Sequence, residues 1–166
     1  MTNYPEFSVE QRDEQPYVGS TATVTMEDFA PVADRLPEMM ARLADKGIEP
    51  TGAPFFRYRV IDMERELLVQ AGVPVAQTPT GLEGLEVDVL PAGRYVTTTY
   101  TGPYDDLVEV TGRLLDWSAQ QGLTYDMHPG DDGDVWGSRL EFFDNDPTEV
   151  SDPSQLQSTL AFRLAD

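Results

Sequence analysis

Hydrophobic positions along the chain follow two rhythms. Over residues 26–46, Phe29, Val32, Ala33, Leu36, Met39, Met40 and Leu43 recur three or four apart, which places them on one face of a helix. Thr25 with Asp28 resembles a capping box at its start, and Gly47 suits the left-handed position after its end. Pro31 fits a first turn. Pro37 falls inside the pattern and predicts a kink or a restart, because proline lacks an amide donor and crowds the preceding turn. Residues 104–121 repeat the helical rhythm with Leu107, Val108, Thr111, Leu114, Leu115 and Ser118, closed by Gly122. Period-two alternation marks strands at 7–12, 17–24, 55–61, 66–75, 85–90, 94–101, 138–143 and 158–164. Residues 76–84 read as a mid-chain linker, and 128–134 and 144–154 as turn-rich loops.

The element order is strand, strand, helix, strand, strand, and then the same again. Setting QPYV (residues 15–18) on GRYV (93–96) carries Asp28 onto Asp106, Phe29 onto Leu107 and Leu36 onto Leu114. The expected fold class is α+β: a tandem pseudo-repeat of strand-strand-helix-strand-strand, with antiparallel sheets, two main helices and a central ligand cleft between the halves. One domain is expected over residues 1–166, with pseudo-repeats at about 6–76 and 84–166.

Composition narrows the function classes. The formal net charge is -19, from 30 acidic and 11 basic residues, so the surface repels phosphate backbones and direct nucleic-acid binding is not expected. Cysteine is absent, which excludes disulfides, thiolate nucleophiles and thiolate metal sites. The start of the chain shows neither a basic region nor an apolar run of a signal peptide, and no apolar stretch approaches the roughly 20 residues of a membrane span. The expected location is the cytoplasm, with no membrane contact. His128 is the only histidine, so a multi-histidine metal site is excluded. Asp131, Asp132 and Asp134 lack the closing glutamate of a calcium loop and read as a solvated turn. No metal and no cofactor are expected.

The candidate chemistry lies in SRLEFFDNDP, residues 138–147, where Glu141 stands among bulky apolar neighbours. Strand alternation puts Arg139, Glu141 and Phe143 on one face, and Leu140 and Phe142 on the other. In the first half, Phe56 and Tyr58 share a face, opposite to Phe55, Arg57 and Arg59. Matching FRYRVID to EFFDNDP across the pseudo-repeat sets Phe56 and Tyr58 against Glu141 and Phe143. A carboxylate ringed by Phe, Tyr and Trp136 suits a flat organic cation, through charge pairing and cation–π attraction. The alternatives at this point are a solvated edge position for Glu141, or an ion pair with Arg139 or Arg57.

IDMERELLVQAGVPV (61–75), LPAGRYVTTTYTGPYDDL (90–107) and LEFFDNDP (140–147), taken together and in this order along nearly the whole chain, resemble the motifs of GyrI-like small-molecule-binding domains, the effector-binding domains of AraC-type and MerR-type multidrug regulators. That resemblance implies a pocket in which a glutamate of the late strand receives cationic lipophilic ligands, and Glu141 stands at the matching position. Phe143 replaces the usual tyrosine, and Gln70 stands where a glutamate is usual. The ligand-binding set expected on these grounds is Glu141, Phe143, Tyr58, Phe56, Trp136 and Tyr100. The chain shows no helix-turn-helix segment and is similar to the stand-alone members. These comprise drug-binding proteins, proteins named for gyrase inhibition, and a branch that hydrolyses strained cyclopropane natural products. The expected function is therefore non-catalytic binding of a cationic or amphipathic aromatic molecule, as sensor or sequestering protein, linked to transcription regulation or drug resistance. Two alternatives remain open: a hydrolase using Glu141 with Trp136 or Trp117, and an acidic module that binds a protein partner.

Overall fold

The computed structural model describes residues 6–165. The ends of the expected domain, residues 1–5 and 166, lie outside them. Ten strands join in one antiparallel, curled sheet, where the sequence pattern predicts separate sheets. They are β1 (Ser8–Arg12), β2 (Gln15–Val24), β3 (Phe55–Ile61), β4 (Leu67–Pro74) and β5 (Glu86–Leu90), then β6 (Gly93–Thr101), β7 (Met127–Gly130), β8 (Gly133–Trp136), β9 (Arg139–Phe143) and β10 (Gln157–Arg163). The order across the sheet is β1-β6-β10-β9-β3-β4-β2-β5, with the β7–β8 hairpin joined to β3 through β8. The first strand of the chain therefore pairs with β6 of the second half, and β5 pairs with β2 of the first.

The first helical pattern is divided. α1 (Ala30–Ala33) ends at Asp34 and α2 (Arg35–Asp45) begins at once. Pro37 occupies the third position of α2, where an amide has no intrahelical acceptor to lose, so the restart falls just upstream of the proline. Thr25 and Asp28 do not form a capping box. Their backbones exchange hydrogen bonds across a tight turn (3.4 and 3.1 Å), and Asp28 Oδ1 instead accepts from the Ala30 amide at 3.0 Å. α3 (Leu107–Gln120) is continuous. Gly47 and Gly122 follow the helices at φ 69 and 72, a conformation that costs glycine little.

Both helices face one side of the sheet. Val32, Met39 and Leu43 meet Val69, Ala71 and Val73 there, and Leu107, Val110 and Leu114 meet Val96 and Leu160. Two stripe positions are corrected. Met40 and Val108 are exposed, because each lies at the margin of its apolar face, and Val110 takes the buried place. A smaller cluster of Tyr17, Phe55, Leu90, Tyr95 and Leu140 covers the other side of the sheet. Residues 128–134 are mostly hairpin, not loop. β7 and β8 pair from Met127↔Trp136 to Gly130↔Gly133, leaving Asp131 and Asp132 as a two-residue turn. Gly133 after the turn takes φ 136, a conformation that glycine adopts readily, and Pro129 is tolerated on an edge strand.

The seam between the halves is short. β3 and β9 pair only as Phe55↔Phe142, Phe56↔Glu141 and Arg57↔Leu140. β3 then bulges between Tyr58 and Val60, and continues against β8 at Val60 and Ile61. A bulge adds a residue and re-aims the side chains beside it. Here it lies next to Tyr58.

Candidate functional site

Glu141 is enclosed by neighbours that follow from register. On one side it pairs with Phe56 of β3, and on the other with Leu160 of β10, both buried. Tyr58, two residues from Phe56 on the same face, donates its hydroxyl to Glu141 Oε2 at 2.8 Å. Phe143 meets Phe56 edge-on, with ring centroids 4.8 Å apart and planes at 83°. The segment before each helix adds one more ring. Phe29, just before α1, lies 6.0 Å from Phe56 and 6.2 Å from Tyr58, and Tyr104, before α3, lies 5.7 Å from Phe143.

Burial raises the Glu141 pKa above the usual carboxylate value; the Tyr58 hydrogen bond and the Arg139 charge partly oppose this. Tyr58 is held well above the usual phenol value by burial and then by the Glu141 charge. Glu141 nevertheless keeps some accessible surface and forms no ion pair among the described residues. An apolar, partly open environment thus holds a carboxylate whose one hydrogen-bond donor among the described residues is the Tyr58 phenol.

Arg139 stands beside it on the same face of β9. Its guanidinium carbon lies 4.5 Å from the Phe162 ring centre, 4.7 Å from Trp136 and 5.8 Å from Tyr58. Burial lowers its pKa, against the pull of Tyr58 and Glu141. The sequence alternatives for Glu141 separate here. It is not on a solvated edge, it makes no close ion pair with Arg139, and Arg57 is on the opposite face. Arg57 donates there to Tyr17 Oη at 2.8 Å and to the Gly137 carbonyl at 2.7 Å.

Of the six expected residues, Glu141, Phe56, Tyr58 and Phe143 converge directly. Trp136 packs on Arg139, Tyr125 and Phe162 and so belongs to the arginine's surroundings. Tyr100 lies across β10, opposite Ser158, with its hydroxyl on Asp106 Oδ2 at 2.6 Å. Gln70 pairs with Arg57 in the β3–β4 ladder and accepts from Tyr17 at 2.5 Å, on the far side of the sheet from Glu141. It does not touch the rim of the candidate site.

Two clefts open away from Glu141. A cleft of about 310 Å³ opens on the opposite face, lined by Arg12, Tyr95, Leu140 and Phe142, and another of about 160 Å³ lies by Arg35 and Met39. Around Glu141 the rings of Phe29, Phe56, Phe143 and Tyr104 pack on one another instead. Phe29, Tyr104 and Phe162 are the members that strand alternation did not supply, since two precede helices and one comes from β10. Among the described residues, no three acidic or histidine side chains assemble as a metal site, and no helix is long and apolar enough to cross a membrane.

Comparison with solved structures places the fold. The structure of EcmrR in a complex with DNA matches at a TM-score of 0.78 and 17% identity; it covers 98% of this chain, which spans only 58% of that one. The EcmrR C-terminal domain alone matches at a TM-score of 0.74 and 17% identity, covering 98% of both chains. SAV2435 bound to tetraphenylphosphonium matches at a TM-score of 0.59 and 9% identity, covering 96% of this chain and 94% of that one. No curated protein matches the sequence. The model of the GyrI-like small molecule binding domain matches residues 5–160, and the chain belongs to that family.

Proposed function

We propose that this GyrI-like domain binds an amphipathic aromatic molecule bearing a positive charge, with Glu141 as counter-charge at the β3–β9 seam. The observation that carries the reading is the Glu141 carboxylate, set between Phe56 and Leu160 and, among the described residues, hydrogen-bonded by Tyr58 alone. An ionised carboxylate in apolar surroundings is stabilised by a cation that brings its own apolar area. The tetraphenylphosphonium held by SAV2435 is a molecule of this kind. The rings of Phe29 and Tyr104, which come from segments preceding helices, are the parts that would move aside for it. We read the two halves, about residues 6–76 and 84–166, as a tandem repeat. Outward from the seam, β3-β4-β2-β5 answers β9-β10-β6-β1 in kind and order, which supports that reading. Binding would serve as a sensor feeding transcription regulation, or as a sink for a toxic compound.

Titration of tetraphenylphosphonium against wild type and Glu141→Gln tests the proposal. Loss of the carboxylate should weaken binding by about 2–5 kcal/mol. Equal affinity for the two proteins removes Glu141 from the site. A raised Glu141 pKa also favours a second reading, general-acid opening of a strained ring. Mass spectrometry of an electrophilic cyclopropane substrate decides it, and product no faster than the uncatalysed background sinks it.

A further inference from the structure

Four buried side-chain polar atoms among the described residues have no protein hydrogen-bond partner: Arg57 Nε, Arg139 Nε, Tyr104 Oη and Ser158 Oγ. Three of the four lie along the face of β9 that carries Glu141, on either side of it. Arg139 shares the β9 face with Glu141. Tyr104 packs on Phe143, and Ser158 is the β10 partner of Phe143. Arg139 is the strongest of them. The rings of Phe162, Trp136 and Tyr58 lie against its guanidinium, and among the described residues it donates no hydrogen bond and forms no ion pair. Aromatic faces attract a guanidinium but do not satisfy its buried Nε–H, which lies in its plane. A buried N–H left in this way is costly, and an oxygen ligand would satisfy it.

We propose that the ligand presents a carboxylate to Arg139 while its cationic aromatic part meets Glu141, so that the site selects a zwitterionic amphipath over a simple lipophilic cation. The inference rests on the binding function proposed above and specifies its ligand. The two side chains, two residues apart on one strand face, offer a positive and a negative group side by side. Tyr104 and Ser158 supply further hydroxyls toward the Phe143 end.

A matched dye pair tests this. Rhodamine B is a zwitterion at neutral pH, and its ethyl ester has the same cationic ring system without the carboxylate. The acid should bind wild type at least about tenfold more tightly than the ester, the gain expected from a charge-assisted hydrogen bond. The acidic surface of the protein works against this preference, since it favours the ester's net positive charge. Arg139→Met should abolish the preference, and Glu141→Gln should weaken both dyes alike. An ester that binds wild type as tightly as the acid, or more tightly, overturns the inference without recourse to any variant. If tetraphenylphosphonium binds in a Glu141-dependent manner and the acid preference is missing, only the role of Arg139 falls. If tetraphenylphosphonium and both dyes fail to bind wild type, the binding function falls and this inference with it.

Discussion

Arg57 and Arg139 flank the same three-pair seam, one on β3 and the other on β9, and project to opposite faces of the sheet. Arg57 is tied to Tyr17 and the Gly137 carbonyl, with Asp88 3.8 Å away, and Tyr17 passes the chain of bonds on to Gln70. Arg139 has aromatic faces and, beyond ion-pair distance, the Glu141 carboxylate. The two differ in what removing them would leave behind. Without Arg57, the Gly137 carbonyl and the Tyr17 phenol oxygen lose their donor. Without Arg139, no protein acceptor is left stranded. A guanidinium whose terminal nitrogens are bound into a network stabilises the fold, whereas one held in place by rings, donating to no protein acceptor, is available to something else.

The largest expected effect tests that difference directly. Arg57→Met should destabilise the protein by about 2–4 kcal/mol, because it orphans buried hydrogen-bonding groups. Arg139→Met should change stability by no more than about 1 kcal/mol, because replacing a poorly partnered buried charge with an apolar side chain of similar size is commonly neutral or favourable. Urea unfolding midpoints at a common slope report both values. Equal losses for the two variants would break the comparison and make Arg139 a structural residue.

Glu141 sharpens it through pH. Its folded-state pKa is raised, chiefly by burial. As pH rises, the unfolded chain ionises this group first while the folded protein still holds the proton. Ionisation then favours unfolding, and stability falls until the folded site ionises as well. Glu141→Gln should therefore be more stable than wild type at about pH 7 and no more stable at about pH 4, below the ordinary carboxylate range. Paired thermal melts at the two pH values measure this. Cation binding should run the other way: it weakens as pH falls through the raised pKa and the counter-charge is lost. A variant that gains stability while losing ligand identifies the carboxylate as kept for binding.

The sequence made this face legible to an uneven degree. Period-two alternation alone places Glu141, Phe143 and Arg139 together, and Phe56 with Tyr58, because a strand has only two faces. The pairing of Phe56 with Glu141 needs the element order as well, since it joins residues 85 positions apart across the seam. What alternation could not supply was the state of each charge. Arg57 and Arg139 look alike in sequence, and only the partners brought by β2, β8 and β10 separate them. The rings of Phe29 and Tyr104 were equally hidden, because a residue before a helix carries no periodic signal of where it points. In sequence the β7–β8 hairpin reads as a loop because the exposed residues of β7 and its turn are turn-forming, which hides a strand paired through its backbone.

The smallest expected effect concerns Gln70. Glutamate is the residue that the family pattern expects there, so a sequence comparison alone would make Gln70→Glu a change in the ligand site. The structure puts Gln70 in the Arg57 network, accepting from Tyr17 at 2.5 Å with Arg59 at 3.5 Å. A carboxylate can take over both contacts, and two nearby guanidinium groups offset its burial. Stability should then change by less than about 1 kcal/mol, and tetraphenylphosphonium affinity by less than about twofold, since the sheet itself separates the substitution from Glu141. A large affinity change with an unaltered unfolding midpoint would show that the two faces are coupled through the seam. In that event the division of labour between Arg57 and Arg139 could not stand as two separate roles.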